Sequence, residues 1–460
     1  MTKTEAGSVE FRSSPSDGES GQIESFDNAL TRSQETSYPI FLYWGTKWCP
    51  PCAEMQVTVL QRPQFRARCA HMVALAIDGD APGAQACGER VDVLVYPSML
   101  ILDCDEREWI RLPCGLKEGV FCSVIDAALR KRMPMSLLVD ALYHRGGDLD
   151  EDDLTLLAFH YWPQDRRIRP GAERLGFLER LDAAIPQNLA GLASRVLVWH
   201  ITERSGRPLT DTAPTLRYRL YDQVSALLDS REATFSALYY LLVAVEPVVE
   251  FLCENDGGRR RDLIETFLGV VERLVEDPTL SWTERLIAYS ARLSLESDAA
   301  TSDGSSLAVE RTRALVTEAD GATVGQVERQ SVMNMAGHLL RQSGLREESI
   351  GLFCREINRS PWPTYFMPYV AEMYMEQGES DEAFRWWRRS YEDAPGKSTR
   401  FELGVRYIEA LVRHAPSERA LIERTVTRLL ADQGDDVDTA RARTRRSLGL
   451  LARTLAQWQV

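Results

Sequence analysis

The stretch PIFLYWGTKWCPPCAEMQ, which begins at Pro39, constrains the local fold more tightly than any other part of the chain. Its opening run, Ile40 to Trp44, is apolar and rich in strand-forming side chains, which predicts a buried β-strand. Two cysteines follow almost at once, Cys49 and Cys52, separated by Pro50 and Pro51. Proline lacks the N–H that a helix leaves unpaired in its first turn, and its φ is already near the helical value. A helix is therefore expected to open at the cysteine pair and continue through AEMQVTVL. Both thiols then fall on one turn, close enough to bond to each other.

The surrounding residues, 22–132, extend this pattern. An amphipathic start, QIESFDNALTRS, precedes the first strand. Later come the strand MVALAID at Met72, a helix near GAQACGER, the strand SMLILD at Ser98, REWIRL at Arg107 and the helical KEGVFCSVIDAALRKR. Continuous apolar strands alternating with helices imply an α/β domain whose central sheet is covered on both faces. The first 21 residues, rich in Ser, Gly and Glu, have no apolar run and read as a disordered tail. Beyond Met133 and Pro134 the strand signals vanish, and helical patterns separated by Gly, Pro, Asp or Ser turns fill the rest. Residues 135–280 are expected to be helical, with no packing scheme legible in them.

Residues 281–460 contain a repeat. Aligning the segment from Met333 with that from Met367 superposes Gly344 on Gly378, Phe353 on Trp387 and Pro361 on Pro395, all at an offset of 34 residues. With Tyr374, Gly378, Ala383, Trp387 and Pro395 at these positions, the segment resembles the tetratricopeptide repeat. Gly378 permits the turn between two antiparallel helices, Ala383 lets them approach, Trp387 fills the gap and Pro395 ends the second helix. Weaker echoes occur at Trp282, Tyr289, Gly404 and Tyr407. The final segment, with Leu448, Leu451, Leu455 and Trp458 on one stripe, suits a capping helix.

Composition limits the function classes. A net charge of −14 opposes general nucleic-acid binding, which needs cations to displace phosphate counterions. The short basic tracts, Arg259 to Arg261 and Arg441 to Arg446, read as solvated helix ends. The most apolar window, ALYYLLVAVEPVVEFLC from Ala237, is interrupted by Glu246, Pro247 and Glu250 and reads as two buried helices, not a membrane span. Nine cysteines, an odd number with seven before residue 125, do not form a disulfide framework. With no secretory signal, the expected compartment is the reducing cytoplasm.

A C-x-x-C pair also occurs in zinc sites and by accident. A zinc site needs further Cys or His ligands at short spacing, whereas Cys104, Cys114 and Cys122 are widely separated and the six His are scattered. No metal or cofactor is expected. At a helix start, unpaired amides and the partial positive charge of the helix favour the thiolate of Cys49, making it the attacking sulfur. Cys52, one turn further in, would resolve the mixed disulfide. The other seven cysteines read as small buried apolar residues, with Cys104 and Cys114 as a minor candidate for an accessory pair.

WCPPC after an apolar strand, YPSMLILD with Pro97 after Tyr96, and Gly115 after the last strand together resemble the thioredoxin fold over residues 22–132. TVLQRPQF brings the resemblance closest to the modules of thiol:disulfide interchange proteins. The resemblance implies that Trp48 flanks the dithiol and that Pro97 is a cis-proline beside it, aiming the Tyr96 backbone at a bound peptide. Two positions depart from the family. Tyr43 stands where thioredoxins carry a buried acid, and Ala53 stands where a basic residue follows the second cysteine. Since that acid helps deprotonate the resolving cysteine, its replacement bears on the rate of release.

These features suggest a thiol:disulfide oxidoreductase whose helical region binds the protein substrate, with an external thiol as reductant and neither nucleic acid nor membrane as partner. The order of modules is also similar to that of chaperedoxins, holdases in which the dithiol is secondary. A scaffold for one dedicated partner is a third possibility.

Overall fold

The computed structural model describes residues 21–144, 149–168, 171–208, 212–254, 256–297, 302–434 and 440–458. The predicted tail, up to residue 20, lies outside them. Helix α1 (Gly21–Thr36) leads into strand β1 (Ile40–Gly45), and α2 (Pro50–Met55) follows. Then come α3 (Pro63–Cys69), β2 (Val73–Asp78), α4 (Ala84–Arg90), β3 (Ser98–Leu102), β4 (Glu108–Leu112) and α5 (Glu118–Lys131). The four strands form a sheet of order β2-β1-β3-β4. β1 runs parallel to β2 and antiparallel to β3.

Every residue of β1 and β3 is buried, whereas β2 alternates buried with half-buried positions. The difference follows from position. The inner strands are covered on both faces, and β2 lies at the sheet edge. Phe26 and Ala29 of α1 pack with Trp44, Ile77, Leu100 and Leu102 in one apolar cluster.

The dithiol helix differs from expectation in its later part. It is α-helical only to Met55 and continues as a π-helix over Gln56–Leu60. Val57, Thr58 and Val59 are consecutive β-branched residues, which crowd a regular α-turn, and the Thr58 hydroxyl donates to the Glu54 carbonyl at 2.8 Å.

The chain divides into two compact units. Among the described residues the first comprises 21–53, 60–108, 353–434 and 440–458, so the sheet's first three strands share their unit with the C-terminal helices. The second comprises the described residues among 54–59 and 109–352.

In the first unit, helices Met367–Glu376 and Ser380–Glu392 form a hairpin whose turn carries Gly378 at φ 80°. Gly344, 34 residues earlier, has φ 78° in the corresponding turn after helix Gln326–Gln342. Both positions use the left-handed region that glycine enters without strain. Ala383, Trp387 and Tyr391 are buried with Phe401, Tyr407 and Leu429 of the next helices. The last helix, Ala442–Trp458, lays Leu448, Leu451, Leu455 and Trp458 on this cluster. Its aromatic residues are therefore core.

In the second unit, Gly115 has φ 78°, and a Cβ there would meet the Tyr239 ring at 2.7 Å. Ser236 Oγ donates to the Gly115 carbonyl at 2.9 Å, and Lys117 pairs with Glu284 at 2.7 Å. The apolar window from Ala237 forms two helices, Phe235–Val243 and Val245–Cys253, bent by 80°. Among the described residues no single helix is long and apolar enough to cross a membrane.

Candidate active site

Cys49 lies immediately before α2, and the Cys52 backbone N–H donates to Cys49 Sγ at 3.4 Å. Donation from a helix-start amide favours the charged thiolate over the neutral thiol. Cys49 is 4 % exposed and Cys52 1 % exposed. The two sulfurs are thus close together but differently placed, because Cys49 lines a cleft of about 530 Å³ and Cys52 does not. Trp48, Pro50, Pro51 and Tyr96 line the same cleft, and Pro97 is buried behind it. The Tyr96–Pro97 bond is cis, as the resemblance implied. All nine cysteines are in the thiol form. Cys69, Cys87, Cys122 and Cys253 are buried, while Cys104, Cys114 and Cys354 are only half-buried.

Side chains far away in sequence complete this site. The Tyr365 ring stacks on Trp48 at 5.7 Å, and the Tyr369 hydroxyl donates to that of Tyr365 at 3.0 Å. Burial pushes both phenols above their ordinary range, and the nearby Cys49 adds to the effect. Trp48 Nε1 donates to Asp80 Oδ2 at 2.7 Å. Asp80 also accepts from the Thr399 N–H at 3.0 Å and from the Thr399 hydroxyl at 2.7 Å. Burial raises the pKa of Asp80 despite these donors. A Cβ on Gly396 would fall 2.4 Å from Asp80 Cβ, so the start of helix Lys397–His414 approaches this carboxylate as closely as only glycine allows.

Arg443 departs from the solvated helix end that the basic tract suggested. Its guanidinium lies 4.4 Å from the centroid of the Tyr96 ring and its Nε donates to Glu402 at 2.7 Å. Burial opposes its charge, but Glu402, Tyr96 and Asp80 outweigh burial and raise its pKa. Its helix is anchored on α4, since the Arg443 N–H donates to Gln85 Oε1 at 3.0 Å and Arg441 pairs with Glu89 at 2.6 Å. Gln85 in turn donates to the Tyr96 hydroxyl at 3.3 Å.

Tyr43, at the position of the usual buried acid, lies near Cys52. A Cβ on Gly45 would lie 2.6 Å from its hydroxyl and 3.0 Å from Cys52 Sγ, so both crowd one stretch of backbone. Asp78, in register with Gly45 on the neighbouring strand, has its pKa raised by burial and by Asp80. No signal in the sequence singled out Asp80, Thr399, Tyr365 or Tyr369, and the basic tract that holds Arg443 pointed to solvent instead. Their types are common, and only folding brings them to the dithiol.

A buried sheet, a dithiol at a helix start and a cis-proline define a thioredoxin-like module with a thiol-redox role. Residues 22–104 match the family model described as thioredoxin-like. No curated protein compared with the chain matches it.

Proposed function

We propose that the protein is a thiol:disulfide oxidoreductase acting on protein disulfides, with its helical region holding the substrate. The observation that carries this reading is the asymmetry of the two sulfurs. Cys49 opens on a cleft and accepts an amide hydrogen bond, while Cys52 is enclosed one turn away.

The Cys49 thiolate attacks one sulfur of the substrate disulfide. A bond forms between Cys49 and that sulfur, and the other substrate sulfur leaves as a thiolate. Cys52, deprotonated, then attacks Cys49 Sγ, closing the intramolecular disulfide and expelling the second substrate thiolate. An external dithiol returns the pair to its reduced form and is itself oxidised. The chemistry requires no cofactor.

The wild-type protein is expected to reduce insulin with dithiothreitol, and Cys49→Ser to abolish this. Cys52→Ala is expected to accumulate mixed disulfides through Cys49 and so to identify the substrate. Equal behaviour of wild type and Cys49→Ser, with both suppressing aggregation of an unfolding protein, would favour a holdase instead.

A further inference from the structure

The cleft is built largely from the chain's own C-terminal helices, and its charges are not balanced. Arg406, Arg443, Arg446 and Arg453 line it against two carboxylates, Glu402 and Glu409. Glu402 is occupied by Arg443 and by Arg406, the latter at 3.3 Å. Arg446 and Arg453 are exposed, and neither has an ion-pair partner among the described residues. This local excess of cations stands out in a chain whose net charge is −14.

The last helix explains the arrangement. Arg443, Arg446, Ser447, Leu450 and Arg453 recur at helical spacing, so one face of Ala442–Trp458 borders the cleft. At one end of that face Arg443 covers Tyr96, whose ring meets Trp48 at 5.7 Å, beside Cys49. The seven-residue interval between Arg446 and Arg453 corresponds to about 10 Å along a helix. In an extended peptide of polyproline II form, side chains three residues apart lie on one face at nearly that distance, about 9 Å. The cleft volume falls within the range that accommodates a small ligand or a short peptide segment. With Cys49 only 4 % exposed, a slender chain can reach the sulfur and a broad folded surface cannot.

Building on the oxidoreductase reading, we propose that the cleft selects an extended, acidic peptide segment, with carboxylates three residues apart engaging Arg446 and Arg453 while its cysteine or disulfide meets Cys49. Arg443 and Arg406 are held by Glu402 and shape the wall.

The test separates binding from redox chemistry. Full-length Cys49→Ser/Cys52→Ser protein is titrated, by fluorescence anisotropy, into labelled ten-residue peptides that carry serine at the cysteine position. One peptide has two glutamates three residues apart, and a second has glutamines there. The acidic peptide is expected to bind about 10-fold more tightly at low salt, with the advantage shrinking as added salt screens it. Arg446→Gln/Arg453→Gln is expected to erase the advantage without weakening the glutamine peptide, and Arg446→Lys/Arg453→Lys to restore most of it. Equal binding of the two peptides, or an advantage that survives in the glutamine variant, would overturn the proposal. So would displacement of the acidic peptide by oxidised glutathione at equal concentration, which would make a small carboxylate disulfide the ligand. Loss of insulin reduction in the wild type alongside intact peptide discrimination would instead count against the oxidoreductase reading alone.

Discussion

Asp80 offers the sharpest quantitative test of how the C-terminal helices are held to the dithiol module. Its carboxylate accepts from Trp48 Nε1, the Thr399 N–H and the Thr399 hydroxyl. In Asp80→Ala the hydroxyl can rotate to another partner, but the two N–H donors lose their acceptor, at about 1–3 kcal/mol each. Water entering the vacated space recovers part of this. Relief of the desolvated carboxylate, whose raised pKa marks a cost of ionisation, recovers more. The net loss is expected at about 2–4 kcal/mol. For a unit of this size, at about 2–4 °C per kcal/mol, that lowers the melting midpoint by roughly 4–16 °C.

Asp80→Asn keeps one carbonyl oxygen, enough for Trp48 or the Thr399 amide but not both, and is expected to lose about 1–2 kcal/mol at neutral pH. The pH dependence has a definite sign. Because the folded state raises the pKa of Asp80, the wild type is favoured below the unfolded value of 3.8 and loses that contribution as pH rises through the folded value. The asparagine variant lacks this titration, so the gap between the two proteins narrows from acid to neutral pH. Thermal melts of the three proteins from pH 4 to 8 provide the measurement. An Asp80→Ala midpoint within 1–2 °C of wild type, or a gap that widens with pH, would refute the reasoning.

Three further outcomes are expected. Glu54 is half-buried and accepts from Ser281 Oγ at 2.5 Å and Ser331 Oγ at 3.1 Å, with its pKa raised chiefly by desolvation. Wild-type stability therefore falls as pH rises through that pKa, and Glu54→Gln should gain on the wild type in melts between pH 5 and 8. Gly45→Ala would drive a Cβ against the Tyr43 hydroxyl and Cys52 Sγ. It should cost about 1–3 kcal/mol and slow resolution, seen as mixed disulfide persisting on non-reducing gels. Trp387→Ala, which empties the centre of the C-terminal core, should cost about 3–5 kcal/mol in urea unfolding.

The legible part of the fold was encoded over short range. Five buried residues before a CPPC pair specify a strand, a turn and a helix start, because proline and β-propensity act on their immediate neighbours. Gly344 and Gly378, 34 residues apart, mark turns by the same local logic, and both have the left-handed φ that makes glycine useful there. Even the dithiol helix shows the limit of such reasoning. Its helical pattern persists past Met55, yet the run Val57 to Val59 relaxes it into a π-turn.

From sequence alone came the strand–dithiol–helix unit and the turn glycines of the helical hairpins, since each depends on residues close by in the chain, while the family resemblance supplied the cis-proline. Only the tertiary structure decided what stands over Cys49. Thr399 reaches Asp80 across 319 residues, and Tyr365 and Arg443 join Trp48 and Tyr96 from equally remote helices. A tyrosine, a threonine or an arginine has no local signature of such a role. It acquires one when packing removes water and places it beside a particular sulfur or carboxylate.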